Sequence, residues 1–155
     1  MLVFMNILAD DIPVGKLTFK LFPEICPRTC SNFVKLCTGE QGFGYRGCDF
    51  FRVIPGFCAC AGDVETQNKD RLGGKSALGG ILGMDNIGWP NTNNSRFYIT
   101  FDETPWMNNF HVAFGEVVDG FDVLDRIEAL GTIQGNGPQE GKTLKRIKIG
   151  SCGLV

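Results

Sequence analysis

The chain has 155 residues, of which 43% are hydrophobic, and a formal net charge of -2 at pH 7. This length predicts a single domain, residues 1–155, with enough apolar side chains to fill a core. The near-neutral charge gives no broad positive field for nucleic acid, and no apolar run is long enough for a transmembrane helix.

The first elements along the chain are predicted to form a β-hairpin. Val3 to Leu8 predicts a strand, and Lys16 to Phe22 alternates polar and apolar residues with the period of a half-buried strand. Asp10 to Gly15 predicts the turn between them. The apolar opening is short, lacks a basic region and runs into two aspartates, so we expect no signal peptide and a cytoplasmic protein.

Two segments have helical periodicity, Pro27 to Cys37 and Phe121 to Leu130. Pro27 suits a first helical turn, and Gly39 and Gly131 predict the two helix ends. The residues predicted to face inward are Cys30, Phe33, Val34 and Cys37 in the first helix and Val123, Leu124, Ile127 and Leu130 in the second.

The remaining regular segments are predicted to be short strands joined by turns. Glycine, at 21 residues, is about twice its usual share of roughly 7%. Two helices and seven or eight short strands favour a mainly β fold, a barrel capped by helices. The further predicted strands are Cys48 to Ile54, Gly80 to Met84, Ser95 to Thr100, Val112 to Val118 and Lys145 to Cys152.

The most informative segment is the predicted strand that ends at Ile54, because it carries Arg52 among Phe and Val residues and runs into Pro55-Gly56. Arginine does not lose its charge, so burial beside apolar residues is costly unless its donors are used. Arg52 therefore either extends to solvent along its apolar stem or lines a pocket and points at a ligand.

Seven cysteines form an odd set without a secretory signal, which predicts reduced thiols packed as small apolar residues. Three alternatives stay open. Cys58 and Cys60 with Cys48 could bind a metal, although the spacing is not the usual pair of pairs. His111, the single histidine, could activate Cys58 or Cys60 as a nucleophile, and Cys58 with Cys60 could respond to oxidants.

Several motifs, taken in order, resemble those of the cyclophilins, which are peptidyl-prolyl cis-trans isomerases. The resemblance runs from about Val3 to Leu154. It implies a closed eight-stranded antiparallel β-barrel capped by two helices, with a groove on the outer face that binds proline-containing peptides or proteins. It implies no cofactor and no metal, and we expect a monomer without nucleic-acid or membrane partners. The motifs are Phe33, Cys37-Thr38-Gly39-Glu40, Gly42-Phe43-Gly44-Tyr45, Phe50 through Phe57, Gly62-Asp63, Gly73-Gly74-Lys75-Ser76, Asn91-Thr92-Asn93-Asn94-Ser95 and His111-Val112-Ala113-Phe114-Gly115.

The resemblance makes Arg52 the catalytic residue. A donor aimed at the proline nitrogen stabilises the twisted amide more than either planar form, and an apolar pocket holds the proline ring. The substrate-binding residues that the resemblance implies are Phe57, Cys58, Cys60, Asp85, Asn86, Arg96, Tyr98, Trp106, Met107 and His111.

The chain departs from the family pattern mainly inside this site. Phe51 replaces a histidine, Cys58 a methionine and Cys60 the glutamine that braces the arginine. Arg96 replaces a second glutamine and Tyr98 a phenylalanine. The other departures are Asp85 for a small residue, an additional residue at Trp89, and the direct Gly79-Gly80 junction where the family has a long loop.

These replacements predict an isomerase with weakened turnover, because Cys60 lacks the amide that supports Arg52. Asp85 could pair with Arg52 or Arg96 and replace part of that support. A non-catalytic proline-peptide binding module is the alternative, and a thiol-sensing domain is a third hypothesis. Cyclosporin-like cyclic peptides are further candidate ligands, favoured by Trp106 and opposed by Asp85 and Arg96.

Overall fold

The computed structural model describes residues 1–62, 81–84, 97–101, 113–132 and 142–155, and for residues 81–84 it describes the backbone alone. Within these ranges lie eight strands and two helices, so the mainly β prediction with two helices is confirmed. The elements are β1 Leu2–Ala9, β2 Ile12–Leu21, α1 Pro27–Thr38, β3 Arg52–Ile54, β4 Cys58–Ala61, β5 Ile81–Met84, β6 Phe97–Thr100, β7 Ala113–Asp119, α2 Phe121–Ala129 and β8 Ile147–Leu154.

The predicted N-terminal hairpin is present, with longer strands and a tighter turn than expected. β1 and β2 pair antiparallel up to Ala9 opposite Ile12, so the connecting loop has only two residues. Asp10 and Asp11 have φ of 49° and 66°. Two-residue hairpin loops with positive φ at both positions match the strand twist, and aspartate tolerates that conformation better than most residues.

Both helices start and end close to the predicted residues. α1 begins with Pro27 and ends at Thr38, and its C-cap Gly39 has a φ of 70°, the left-handed conformation favoured by glycine. Its buried residues are Cys30, Phe33 and Cys37, three of the four predicted. α2 ends at Ala129, one residue earlier than predicted, and buries Val123, Leu124 and Ile127.

The strands form one sheet in the order β3-β4-β6-β5-β7-β2-β1-β8 among the described residues. The predicted closed barrel is not observed, because β3 and β8 lie at opposite ends of this order and form no ladder with each other there. Between them lies only an isolated bridge, Asp49 to Lys148, and backbone hydrogen bonds such as Phe50 N to Ile147 O. The predicted strand from Cys48 is therefore regular only in its last three residues.

The main core lies between one face of the sheet and the two helices. Phe33 of α1 is 1% exposed and its ring lies 4.9–5.3 Å from the rings of Tyr45, Phe97 and Phe114. Aromatic pairs at such distances add to the stabilisation from burial. This ring group joins α1 to β6 and β7, so the helix fixes the inner face of the sheet.

β4 was not predicted as a strand. Its sequence, Cys58-Ala59-Cys60-Ala61, contains no β-branched or aromatic residue, so strand propensity is weak. All four residues are buried, and pairing with β3 on one side and β6 on the other holds the segment extended. Tertiary pairing therefore overrides local propensity here.

Neither helix in the described part of the chain is long and apolar enough to cross a membrane; the longer one has 12 residues.

Candidate functional site

A tight turn connects Arg52's strand to β4. Phe57 N donates to Ile54 O at 3.0 Å, and Gly56 has φ of 77°. Proline followed by a glycine with positive φ defines a type II turn. Gly56 N also donates to Glu128 Oε2 at 2.7 Å, so α2 holds the turn in place.

The strand register places Arg52 in a row with other predicted site residues. Arg52 pairs with Cys60 across β3 and β4, and Cys60 pairs with Tyr98 across β4 and β6. Gly83 of β5 continues the row beyond Tyr98. Directly paired residues have their side chains on the same face, so Arg52, Cys60 and Tyr98 are neighbours on one surface of the sheet.

This surface is opposite to the main core. Val53, Ala59 and Ile99 alternate with the row and all three belong to the main core. On the other side lies a second, separate apolar cluster, which we call the outer cluster. It consists of Phe51, Phe57, Cys58, Cys60 and Tyr98.

The outer cluster is nearly as well shielded from solvent as the main core. Cys58 and Cys60 have no exposed surface, Tyr98 is 1% exposed and Phe51 is 4% exposed, whereas Phe57 is half-buried. Phe57 is thus the member through which the cluster meets solvent. The structure therefore brings together the predicted residues Arg52, Phe57, Cys58, Cys60 and Tyr98 around one apolar surface.

Arg52 contributes the charge of this site. The side chain is half-buried, and its Nε atom is buried without a hydrogen-bond acceptor among the described residues. Leaving a buried donor unpaired costs about 1–3 kcal/mol, and more for a charged group. A ligand acceptor placed there would remove that cost, so the arrangement favours binding of an acceptor beside an apolar group.

The thiols of Cys58 and Cys60 contact each other, with their Sγ atoms 3.9 Å apart. Cys48, the third member of the predicted metal alternative, packs in the main core on the other side of the sheet. In the described ranges no group of three or more His, Cys, Asp or Glu side chains is placed to hold a metal ion.

Six predicted site residues lie outside the described residues, and their positions stay predictions. They are Asp85, Asn86, Arg96, Trp106, Met107 and His111. The proposed pairing of Asp85 with Arg52, the cysteine–histidine nucleophile, the insertion at Trp89 and the Gly79-Gly80 junction fall in the same category.

One contributor to the site was missed from sequence. Glu128 anchors the Pro55-Gly56 turn from α2, 72 residues away in the chain. Its position on a polar helix face gave no signal, because a solvated glutamate and an anchoring glutamate have the same local pattern. Phe51 was noted as a replacement, and the structure shows in addition that it is packed with Cys60 and Tyr98.

The fold and the site define a mainly β domain that places an arginine donor beside an apolar outer surface. Residues 4–154 match the family model described as cyclophilin type peptidyl-prolyl cis-trans isomerase/CLD. The match covers nearly the whole chain. The chain therefore belongs to the cyclophilin-type peptidyl-prolyl cis-trans isomerase family, as its motifs predicted.

Proposed function

We propose that this protein is a peptidyl-prolyl cis-trans isomerase with weakened turnover, acting on Xaa-Pro bonds with Arg52 as the catalytic residue. The observation that carries the proposal is the buried Nε of Arg52, which has no acceptor among the described residues, beside the outer cluster. Membership of the isomerase family supports the same reaction.

The proposed reaction needs no covalent step. Amide resonance opposes rotation about an Xaa-Pro bond with a barrier of about 20 kcal/mol. In the twisted amide the proline nitrogen becomes pyramidal and exposes its lone pair. The guanidinium donates to that lone pair, and this interaction is absent in the planar forms, so it lowers the barrier instead of only tightening binding.

The outer cluster supplies the apolar surface for the proline ring. Phe57 is its half-buried member, and Cys58 and Tyr98 pack behind it. A ring held against Phe57 would bring the prolyl nitrogen toward Arg52, because Cys60, the cross-strand neighbour of Arg52, packs in the same cluster as Phe57. We further propose Asn86, Trp106, Met107 and His111 as the rest of the groove, on the basis of the motif resemblance.

Weakened turnover follows from the residues beside Arg52. Its cross-strand neighbour is Cys60, whose thiol lies 3.9 Å from that of Cys58. A thiol is a weak hydrogen-bond donor and acceptor compared with an amide. A guanidinium without a firm brace samples several orientations, and misplacement by about 1 Å can lower a rate by about 10²-fold.

The same observation favours a second candidate function, a binding module that holds proline-containing peptides without accelerating rotation. Arg52, whose Nε has no acceptor among the described residues, still attracts a carbonyl oxygen, and the buried apolar surface beside it attracts an apolar ring. What it lacks is a fixed orientation of the guanidinium, which is needed to stabilise the twisted amide more than the planar forms. Cyclosporin-like cyclic peptides, rich in apolar surface, are proposed as ligands under either function.

One experiment separates these functions. Two-dimensional NMR exchange spectroscopy on an Ala-Pro peptide measures cis–trans interconversion while titration of the same peptide measures binding. The isomerase proposal expects saturable binding and exchange cross-peaks that grow with protein concentration. Saturable binding with exchange at the uncatalysed rate would replace it by the binding module, and absence of binding would contradict both.

A further inference from the structure

A second thiol pair, Cys37 with Cys152, lies outside the outer cluster. Cys37 is in the last turn of α1 and is 3% exposed, whereas Cys152 is in β8 and is half-buried. The Cys152 thiol lies 3.2 Å from the backbone oxygen of Cys37, to which it donates. Residues 115 positions apart in the chain are thus in direct contact.

The pair opens onto a surface cavity of about 420 Å³. Both cysteines line it, together with Gly39, Phe43, Arg46 and Ser151. Arg46 and Phe43 are exposed, so a small molecule reaches the cavity from solvent. By contrast, Cys58 and Cys60 are fully buried. Cys37 and Cys152 are therefore more accessible to a small oxidant than Cys58 and Cys60, the pair considered from the sequence.

The surroundings of the two thiols shift their pKa in opposite directions. The neighbouring Cys37 thiol and the positive charge of Arg46 lower the pKa of Cys152, against the opposing effect of burial. The neighbouring Cys152 thiol and burial raise the pKa of Cys37. The thiolate is the nucleophile, so Cys152 reacts first and the protonated Cys37 stands next to it.

We propose that Cys37 and Cys152 form a two-cysteine site that a hydroperoxide oxidises to a disulfide. The Cys152 thiolate attacks the terminal peroxide oxygen, the O–O bond breaks, and the alcohol or water departs with a proton to leave a sulfenic acid. The Cys37 sulfur then attacks the Cys152 sulfur, the S–O bond breaks, and water leaves with the thiol proton. In total, two thiols lose two electrons and one peroxide gains them.

The expected consequence is a covalent link between the end of α1 and β8. A bridge that closes a loop of this length restricts the unfolded chain, which predicts a rise of about 5–15 °C in the melting temperature. The link leaves the outer cluster untouched, so this site operates whether or not the domain is an isomerase.

The test uses the full chain treated with stoichiometric hydrogen peroxide, blocked with N-ethylmaleimide and mapped by mass spectrometry without reduction. The proposal expects a Cys37–Cys152 crosslinked peptide that dithiothreitol removes. In Cys37→Ser, dimedone should label Cys152, because the sulfenic acid has no resolving thiol. A Cys58–Cys60 disulfide formed first, or labelling at Cys26 as fast as at Cys152, would overturn it.

Arg46→Gln provides a second test. Arg46 is at the surface, so we expect this substitution not to disturb folding. The reaction of Cys152 with peroxide at neutral pH should slow by about two- to tenfold, because less thiolate is present. Arg28→Gln, an exposed arginine of α1, is the matched control and should react at the wild-type rate. Equal rates in the two variants would remove Arg46 from the proposal, and a wild-type chain that yields no crosslink would remove the site itself.

Discussion

The main core and the outer cluster occupy opposite faces of the same sheet and use similar side chains, but the outer cluster lies next to a buried charged group. In the main core, Phe33 packs against Tyr45, Phe97 and Phe114 at ring distances of 4.9–5.3 Å. The outer cluster, also aromatic and sulfur-containing, lies beside the buried Nε of Arg52, for which the described residues supply no acceptor.

This difference separates stability from function. Burial of aromatic rings in the main core stabilises the fold, since every group there loses water and gains close contacts. In the outer cluster the same burial raises the energetic cost of an unpaired guanidinium donor. A ligand that places a hydrogen-bond acceptor beside this donor removes that cost, and this favours binding. Changes in the two regions should have separable effects on unfolding and on peptide exchange.

The largest expected effect is on stability, from Phe33→Ala in the main core. Loss of this buried ring should lower the free energy of unfolding by about 3–5 kcal/mol. Urea denaturation measures it. Phe121→Ala is the matched control, because Phe121 is 54% exposed and its truncation should change stability by less than about 0.5 kcal/mol. An equal loss of unfolding free energy in the two variants would contradict the position of Phe33 in the main core.

The next effect is on activity, from restoring the family pattern in the outer cluster with Phe51→His, Cys58→Met and Cys60→Gln together. A glutamine amide beside Arg52 should brace the guanidinium and raise catalysed exchange by up to about 10²-fold. Exchange spectroscopy at fixed protein concentration measures the gain. Phe121→His is the control for the aromatic replacement. A folded triple variant without any gain would move the cause to Arg96 or to the Gly79-Gly80 junction.

A smaller effect is expected from Glu128→Gln, which weakens the bond from Gly56 N to the carboxylate. The loss should be about 0.5–1.5 kcal/mol of stability, because the contact is near the surface. Exchange activity should fall with it, since the turn fixes Arg52's hairpin. Asp125→Asn, on an exposed position of α2, should change neither quantity. An activity loss in Asp125→Asn as large as that in Glu128→Gln would argue against the anchoring role.

The smallest effect concerns Arg146, which pairs with Asp49 ahead of β3. Arg146 Nε lies 3.0 Å from Asp49, and its side chain is 65% exposed. Solvent-exposed ion pairs contribute about 0–1 kcal/mol, so Arg146→Gln should barely change unfolding, and less so at high salt. Catalysed exchange should stay at the wild-type level. A large activity loss would show that the outer cluster is not the region that controls exchange.

Much of the fold follows from local pattern. The Pro27 start and Gly39 end of α1, and the alternation in β2, specify those elements without long-range information. β4 was missed, because Cys and Ala carry no strand preference and only pairing on both sides holds the segment extended. The irregular contact between Asp49 and β8 was equally hidden, since the local sequence gives no sign of where a ladder breaks.

The site was predictable where the chemistry is unusual and not where it is ordinary. An arginine inside an apolar strand stands out, and the motif resemblance assigned it a role. Glu128 does not stand out, because one more glutamate on a helix has no distinguishing neighbour in sequence. The row of Arg52, Cys60 and Tyr98 depends on register between three strands, which local sequence does not specify.

The most direct test of the central claim is prolyl exchange by Arg52→Ala, measured together with peptide binding in the same NMR titration. Removing one donor from the twisted amide should lower catalysed exchange by about 10²–10³-fold, with a much smaller change in Kd. Arg28→Ala is the matched control and should exchange at the wild-type rate. Wild-type exchange in Arg52→Ala would contradict the account, because the Arg52 guanidinium would then have no part in the reaction.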